Sequence, residues 1–86
     1  MEVKRGQVVK SIAGHDQGGF LAVLRVEGAS AWICDGKRRP LERPKCKKLK
    51  HMRVTGTVLP EEALQTNRLI RKALAAFNSG ADEKDW

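Results

Sequence analysis

The chain contains no tyrosine, and its aromatic residues are only two phenylalanines and two tryptophans. Recognition of single-stranded bases relies on exposed aromatic platforms, so that mode has little to work with here. An aromatic cage for a methylated lysine is disfavoured on the same ground. Cysteine is equally scarce, with Cys34 and Cys46 the only two. An isolated pair in a reducing compartment reads as two free thiols. His51 follows Cys46 closely, but a structural zinc site pairs its ligands about two to four residues apart, and no such pair occurs, so neither metal nor cofactor is expected. Long apolar runs are missing as well. None approaches the roughly 18 residues needed to cross a bilayer. The start, MEVKRGQVVK, has no apolar signal core, which gives the expectation of a cytoplasmic protein with no membrane partner.

With 86 residues the chain has room for one domain and a modest core, without space for a deep cleft between lobes. An acid and base pair, or a nucleophile with its base, needs a pocket. Asp16 with His15 and Cys34 with His51 are chance-level combinations in so small a chain. The expectation is a binding protein with no enzymatic activity and no small-molecule substrate.

What the chain does have is one block of positive charge. Between Lys37 and Arg53, reading KRRPLERPKCKKLKHMR, nine Lys or Arg stand against the single acid Glu42, a local charge of +8 in a chain of net +7. From Met1 to Gly36 four cations balance four acids, and from Val54 to Trp86 the sum is −1. Surfaces that serve solubility alone usually intersperse the two signs. A concentrated block instead attracts a polyanion through counterion release. Lys37, Arg38, Arg39, Arg43, Lys45, Lys47, Lys48, Lys50 and Arg53 are the candidate phosphate contacts, with His51 among them. Pro40 and Pro44 cannot donate to a ladder, so the block is expected to be an exposed loop or an irregular edge, its charged heads open to a ligand.

Before the block, GQVVKSI, FLAVLRV and SAWICD read as three short strands punctuated by glycines, as in a small antiparallel barrel. Alternation in FLAVLRV puts Phe20, Ala22, Leu24 and Val26 on one face and Leu21, Val23 and Arg25 on the other, with one side lining the core. Trp32 is expected to pack rather than to stack bases. LKHMRVTGTVL supplies one or two closing strands, interrupted at Gly56. Beyond Pro60 the period becomes helical. Ala63, Thr66, Leu69, Ile70, Ala73, Leu74 and Phe77 form one stripe, read as a face that covers the core, with Arg68, Arg71 and Lys72 opposite. Two readings of the helix remain open: residues 60–78 throughout, or a shorter helix from Asn67 capped by Thr66. Gly80 is a stop signal, and residues 79–86 are expected to fray.

Gly6, Val8, Val9, Ile12, Gly14, Asp16, Gly18 and Gly19 resemble the KOW motif, a strand, glycine loop and strand unit found in ribosomal proteins and transcription elongation factors. The order AGHDQG, AWICDG, then the basic KRRPLERPKCKKLKHM is similar to the KOW-type large-subunit ribosomal proteins of the L-fourteen-e kind, and more so to the short bacterial KOW-domain RNA-binding proteins related to them. In those bacterial proteins a TNxxIRKAL-like helix follows the barrel, and TNRLIRKAL occupies Thr66 to Leu74. The likeness covers roughly residues 4–78. One departure is Gly19, where many KOW loops carry a lysine.

The resemblance implies a mostly β fold, a small SH3-like barrel over residues 1–58 that includes the basic segment 37–53, followed by the C-terminal helix. It implies RNA binding, on structured ribosomal RNA of the large subunit and with possible ribosomal-protein contact, through Gly14, His15 and Gly18 together with the basic block. With few aromatics, recognition should use backbone, shape and 2′-hydroxyl contacts. The alternative is a protein-interaction adaptor of the translation or transcription machinery, which steep salt dependence of binding would argue against.

Overall fold

The computed structural model describes residues 3–14 and 18–78. His15, Asp16, Gly80 and the tail at 79–86 therefore lie outside the described residues. Five strands form one antiparallel sheet: β1 (Gln7–Ser11), β2 (Phe20–Glu27), β3 (Ser30–Cys34), β4 (Lys45–Lys48) and β5 (Met52–Val58). Their order is β4-β3-β2-β1-β5. One helix, α1 (Asn67–Asn78), follows. The fold is mostly β, and the sheet is not closed into a barrel, because the edge strands β4 and β5 share no ladder. A short 3-10 turn, Leu49–His51, joins them instead.

The sheet is buried on both faces, not one. Phe20 and Ala22 join Val8, Cys34, Leu64, Ile70 and Leu74 in a cluster under the helix, whereas Leu21 and Val23 join Val9, Ala31, Ile33 and Met52 in a second cluster on the opposite face. FLAV is thus a continuous apolar run, as in a strand covered on both sides. Ile33 on β3 and Met52 on β5 are three strand positions apart in the ladder, roughly 14 Å in a flat sheet. Val9, Leu21 and Val23 on the strands between them link the two, and the bond from Lys47 on β4 to the Ala13 carbonyl beyond β1, again three strand positions away, shows that the sheet curls toward this face. Past a register shift between Val23 and Arg25 the strand runs out into solvent, with Arg25, Val26 and Glu27 all exposed. Leu24 is half-buried, and Val26, expected on the core face, is 38% exposed.

Gly56 does not interrupt the last strand. β5 runs straight through it, and the irregularity appears as a register shift against β1 between Gln7 and Val9. Buried polar groups staple this bulge. The Gln7 amide donates to the carbonyls of Thr55 and Thr57 at 2.8 and 3.2 Å, and the Thr55 hydroxyl donates to the Val8 carbonyl at 2.7 Å. Every polar atom in that list gains a partner, which removes the desolvation penalty that bare burial would carry.

The helix is the shorter of the two alternatives. Glu61–Leu64 forms a separate 3-10 turn, and Thr66 caps α1 by accepting a bond from the Leu69 amide at 3.1 Å. The cap competes with a continuous helix from Pro60 because its hydroxyl satisfies an otherwise orphaned N–H. Of the expected stripe, Ile70 and Leu74 are buried and Phe77 packs beside them, 5.3 Å from the Phe20 ring between centroids. Leu69 is 39% exposed and takes no part in the core. Asn78 locks the far end onto the sheet, its side chain accepting from the Phe20 amide at 3.0 Å.

Candidate nucleic-acid interface

The glycine loop departs from the end of β1. Its mouth is closed by two bonds, Ser11 N–H to the Gly19 carbonyl at 2.9 Å and Gly18 N–H to the Ser11 carbonyl at 2.8 Å. Gly14 and Gly18 have φ of +81° and +91°, a region closed to most L side chains, so the turn needs glycine at both. A third bond, Ile12 N–H to the His51 carbonyl at 3.0 Å, fastens the loop to the 3-10 turn after β4. The loop and the second half of the basic block are thereby brought together, although more than thirty residues separate Gly14 from Lys47.

Between them lies a shallow surface groove of about 330 Å³. Ala13 and Gly14 form one wall, and Lys45, Cys46, Lys48 and His51 the other. Lys47 spans the two: its Nζ donates to the Ala13 carbonyl at 2.5 Å. The residue is only 8% exposed. On β4 it pairs with Ala31, a member of the second core, so its aliphatic stem covers apolar surface while the head reaches a polar partner at the rim. The exposed phosphate-binding head expected for Lys47 is corrected accordingly. It is a tie between an edge strand and the glycine loop.

The expected loop or irregular edge is half realised. Lys45–Lys48 is a regular edge strand, while residues 35–44 form a loop with its own bonding. The Asp35 carboxylate accepts from the amides of Lys37 and Arg39 at 2.8 and 2.9 Å, an Asx turn. The Asn67 side chain, at the head of α1, accepts from the Leu41 amide at 2.7 Å and donates to Glu42 at 2.9 Å. Arg71 donates to the Gly36 carbonyl at 2.8 Å. Gly36 sits so close to the helix that a Cβ there would meet the Asn67 carbonyl oxygen, and its φ is +79°.

The block therefore divides. Lys45, Lys48 and His51 join Gly14 and the buried Lys47 at the groove, with Lys50 exposed in the turn beside it and Arg53 exposed on β5. Lys37, Arg38 and Arg43 are exposed on the loop that docks against α1, and Arg39 is half-buried there. Glu42, the one acid in the block, is drawn to the helix by Asn67, whose hydrogen bond holds its carboxyl below the usual carboxylate range. From the sequence, Asn67 reads only as a possible helix start and Arg71 as lying opposite the apolar stripe; Arg71 instead borders that stripe and, with Asn67, holds the loop. Their spacing of one helical turn, on the side that also carries Ile70 and Leu74, is the signal that marks them.

Trp32 is half-buried and packed, as expected: its N–H donates to Glu27 at 2.7 Å and the Arg25 guanidinium lies 5.3 Å from its ring centroid. Cys34 is buried and Cys46 exposed, both as free thiols. Among the described residues no group of three His, Cys, Asp or Glu converges on a possible metal position, and no helix is long and apolar enough to cross a membrane.

Burial, reinforced by the Asp35 charge, pushes the Cys34 thiol up to about 11 from its ordinary 9.0. A thiol that holds its proton more tightly when folded contributes stability below pH 9.0, lost as pH rises through about 11. Unfolding measurements should show the parent losing more stability across that window than Cys34→Ala. In the same samples a thiol reagent at neutral pH should modify Cys46 alone until denaturant is added. Equal reactivity of both thiols would contradict the burial of Cys34.

Compared with known proteins, the chain matches no protein-family model and no curated protein.

Proposed function

We propose that this chain is a cytoplasmic RNA-binding protein that docks on structured RNA, most specifically ribosomal RNA of the large subunit. We further assign its sheet to the KOW kind of SH3-like barrel, left open between β4 and β5. The full burial of Val9, Val23, Ala31 and Ile33 on the face that the helix does not cover supports the barrel assignment. So does the tie from Lys47 to Ala13, which links β4 to the end of β1 across the open seam.

The observation that carries the RNA reading is the convergence of Gly14 with Lys45, Lys48 and His51 at one open groove. A positive-φ glycine offers backbone with no side chain in the way, and the lysines supply point charges at the rim. A phosphodiester strand fits such a groove. Contacts of this type position a nucleic acid without reading its bases, so specificity comes from the shape of a folded RNA and from its 2′-hydroxyls. Catalysis forms no part of this role.

The test is filter binding to folded large-subunit ribosomal RNA across a salt series. With six or more phosphate contacts, affinity should fall by about a thousandfold between about 50 and 200 mM salt. A flat response would contradict the proposal and favour an adaptor that binds protein through apolar surface.

A further inference from the structure

Helix α1 carries its charge at the wrong end for its own stability. Arg68, Arg71 and Lys72 all lie within its first six residues, its first turn has no acid, and its last turn has no base. A helix N-terminus bears partial positive charge and favours acids, so Arg68, in the first turn, is opposed by the backbone around it. Arg68 and Lys72 are also four apart, where like charges repel. Both are exposed. A local rule broken at Arg68 and Lys72 with no compensating ion pair among the described residues is the mark expected of a functional surface.

The docked loop shows what that surface is continuous with. Lys37 lines a small groove together with Arg71, Ala75 and Asn78 of the helix, and Arg38 is exposed beside it. Arg68 and Lys72 follow Arg71 and Ala75 on adjacent positions of the same helical side. The two acids nearby are already engaged. The Asp35 carboxylate accepts from the loop amides and Glu42 is held by Asn67. Among the described residues the five exposed cations Lys37, Arg38, Arg68, Arg71 and Lys72 outnumber these two carboxylates, which leaves the strip net positive.

We infer that this strip is a second RNA contact, separate from the Gly14 groove, so that the protein grips phosphates of two RNA segments. The inference rests on the RNA-binding reading above. The contact is made by side chains and not by the helix end, where the Thr66 hydroxyl already takes the Leu69 amide. Phosphate is the occupant that the charge calls for, because the strip begins in the same basic block that supplies the groove. Asn67 and Arg71 are positioning residues, since they pin the loop onto the helix and thereby merge two sets of cations into one surface.

Arg68→Glu separates binding from folding, because the two should move in opposite directions. The new acid suits the helix dipole and pairs with Lys72 one turn on, so the melting temperature should equal or exceed that of the parent. Affinity for folded large-subunit ribosomal RNA should nevertheless fall about tenfold or more, and the slope of log affinity against log salt should shrink by about one. Arg68→Gln, which adds no repulsion, should lose less affinity with the same reduction in slope. Lys48→Glu with Lys50→Glu, at the groove, is the reference. If that pair weakens binding while both Arg68 variants bind like the parent, the second contact is overturned and the RNA reading stands. If the groove pair also binds like the parent, the RNA reading falls and this inference with it.

Discussion

Ile70→Asp is expected to destabilise the fold by about 4 kcal/mol or more, enough to leave much of the protein unfolded at ambient temperature. Ile70 is fully buried in the cluster that joins Val8, Phe20, Ala22 and Cys34 of the sheet to Leu64 and Leu74. Truncating such a side chain costs about 2–5 kcal/mol through lost burial and cavity formation alone. A carboxylate placed in this apolar cluster adds a desolvation penalty, part of which it escapes by taking up a proton. Leu69→Asp is the matched comparison. Its side chain is one residue away but 39% exposed, so the change should stay within about 0.5 kcal/mol. Thermal melting followed by circular dichroism measures both. An Ile70→Asp protein that melts with the parent would mean that the helix does not hold the sheet's outer core, and would turn attention to the helix as a docking face.

The contrast between these neighbours also shows where the sequence is legible. Periodicity located α1, and the pairing of Thr66 with the following helix gave its start as one of two alternatives. Within the stripe, however, Leu69 and Ile70 look equivalent in hydropathy. Only the docking angle of the helix on β2 separates them, and that angle is a tertiary property. The strands were legible from their β-branched runs and bounding glycines. Burial of both faces of β2 was not, because alternation assigns one face to solvent unless something is known to cover it. Gly56 reads in sequence as a break and proves to lie within a bulged stretch of β5, stapled by Gln7 and Thr55, which no local pattern announces.

The basic block illustrates the same limit in charge. Its concentration is visible in the sequence, and so is the proximity of the glycine loop expected from the resemblance. Charge counting treats Lys47 and Lys48 alike. In the fold, strand alternation sends them to opposite faces, Lys48 into solvent and Lys47 toward Ala31 and the Ala13 carbonyl. The part that Asn67 and Arg71 play in holding the loop was not legible, because residues 35–44 are far away in sequence.

These differences define the second large effect. Lys48→Glu with Lys50→Glu should weaken binding to folded large-subunit ribosomal RNA by about a hundredfold or more, since each change removes counterion release and adds repulsion beside the Gly14 groove. Both heads are exposed, so the fold should be unaffected. Lys47 must be kept out of that variant. Lys47→Glu would place a carboxylate against the Ala13 carbonyl within a buried site, and would confuse lost binding with lost structure. The decisive measurement is therefore the affinity of the Lys48→Glu, Lys50→Glu protein for that RNA at about 100 mM salt, beside its circular dichroism spectrum. A loss of about two orders of magnitude with an unchanged spectrum is the expected result. An affinity equal to the parent's, with the fold intact, would contradict RNA binding through this groove.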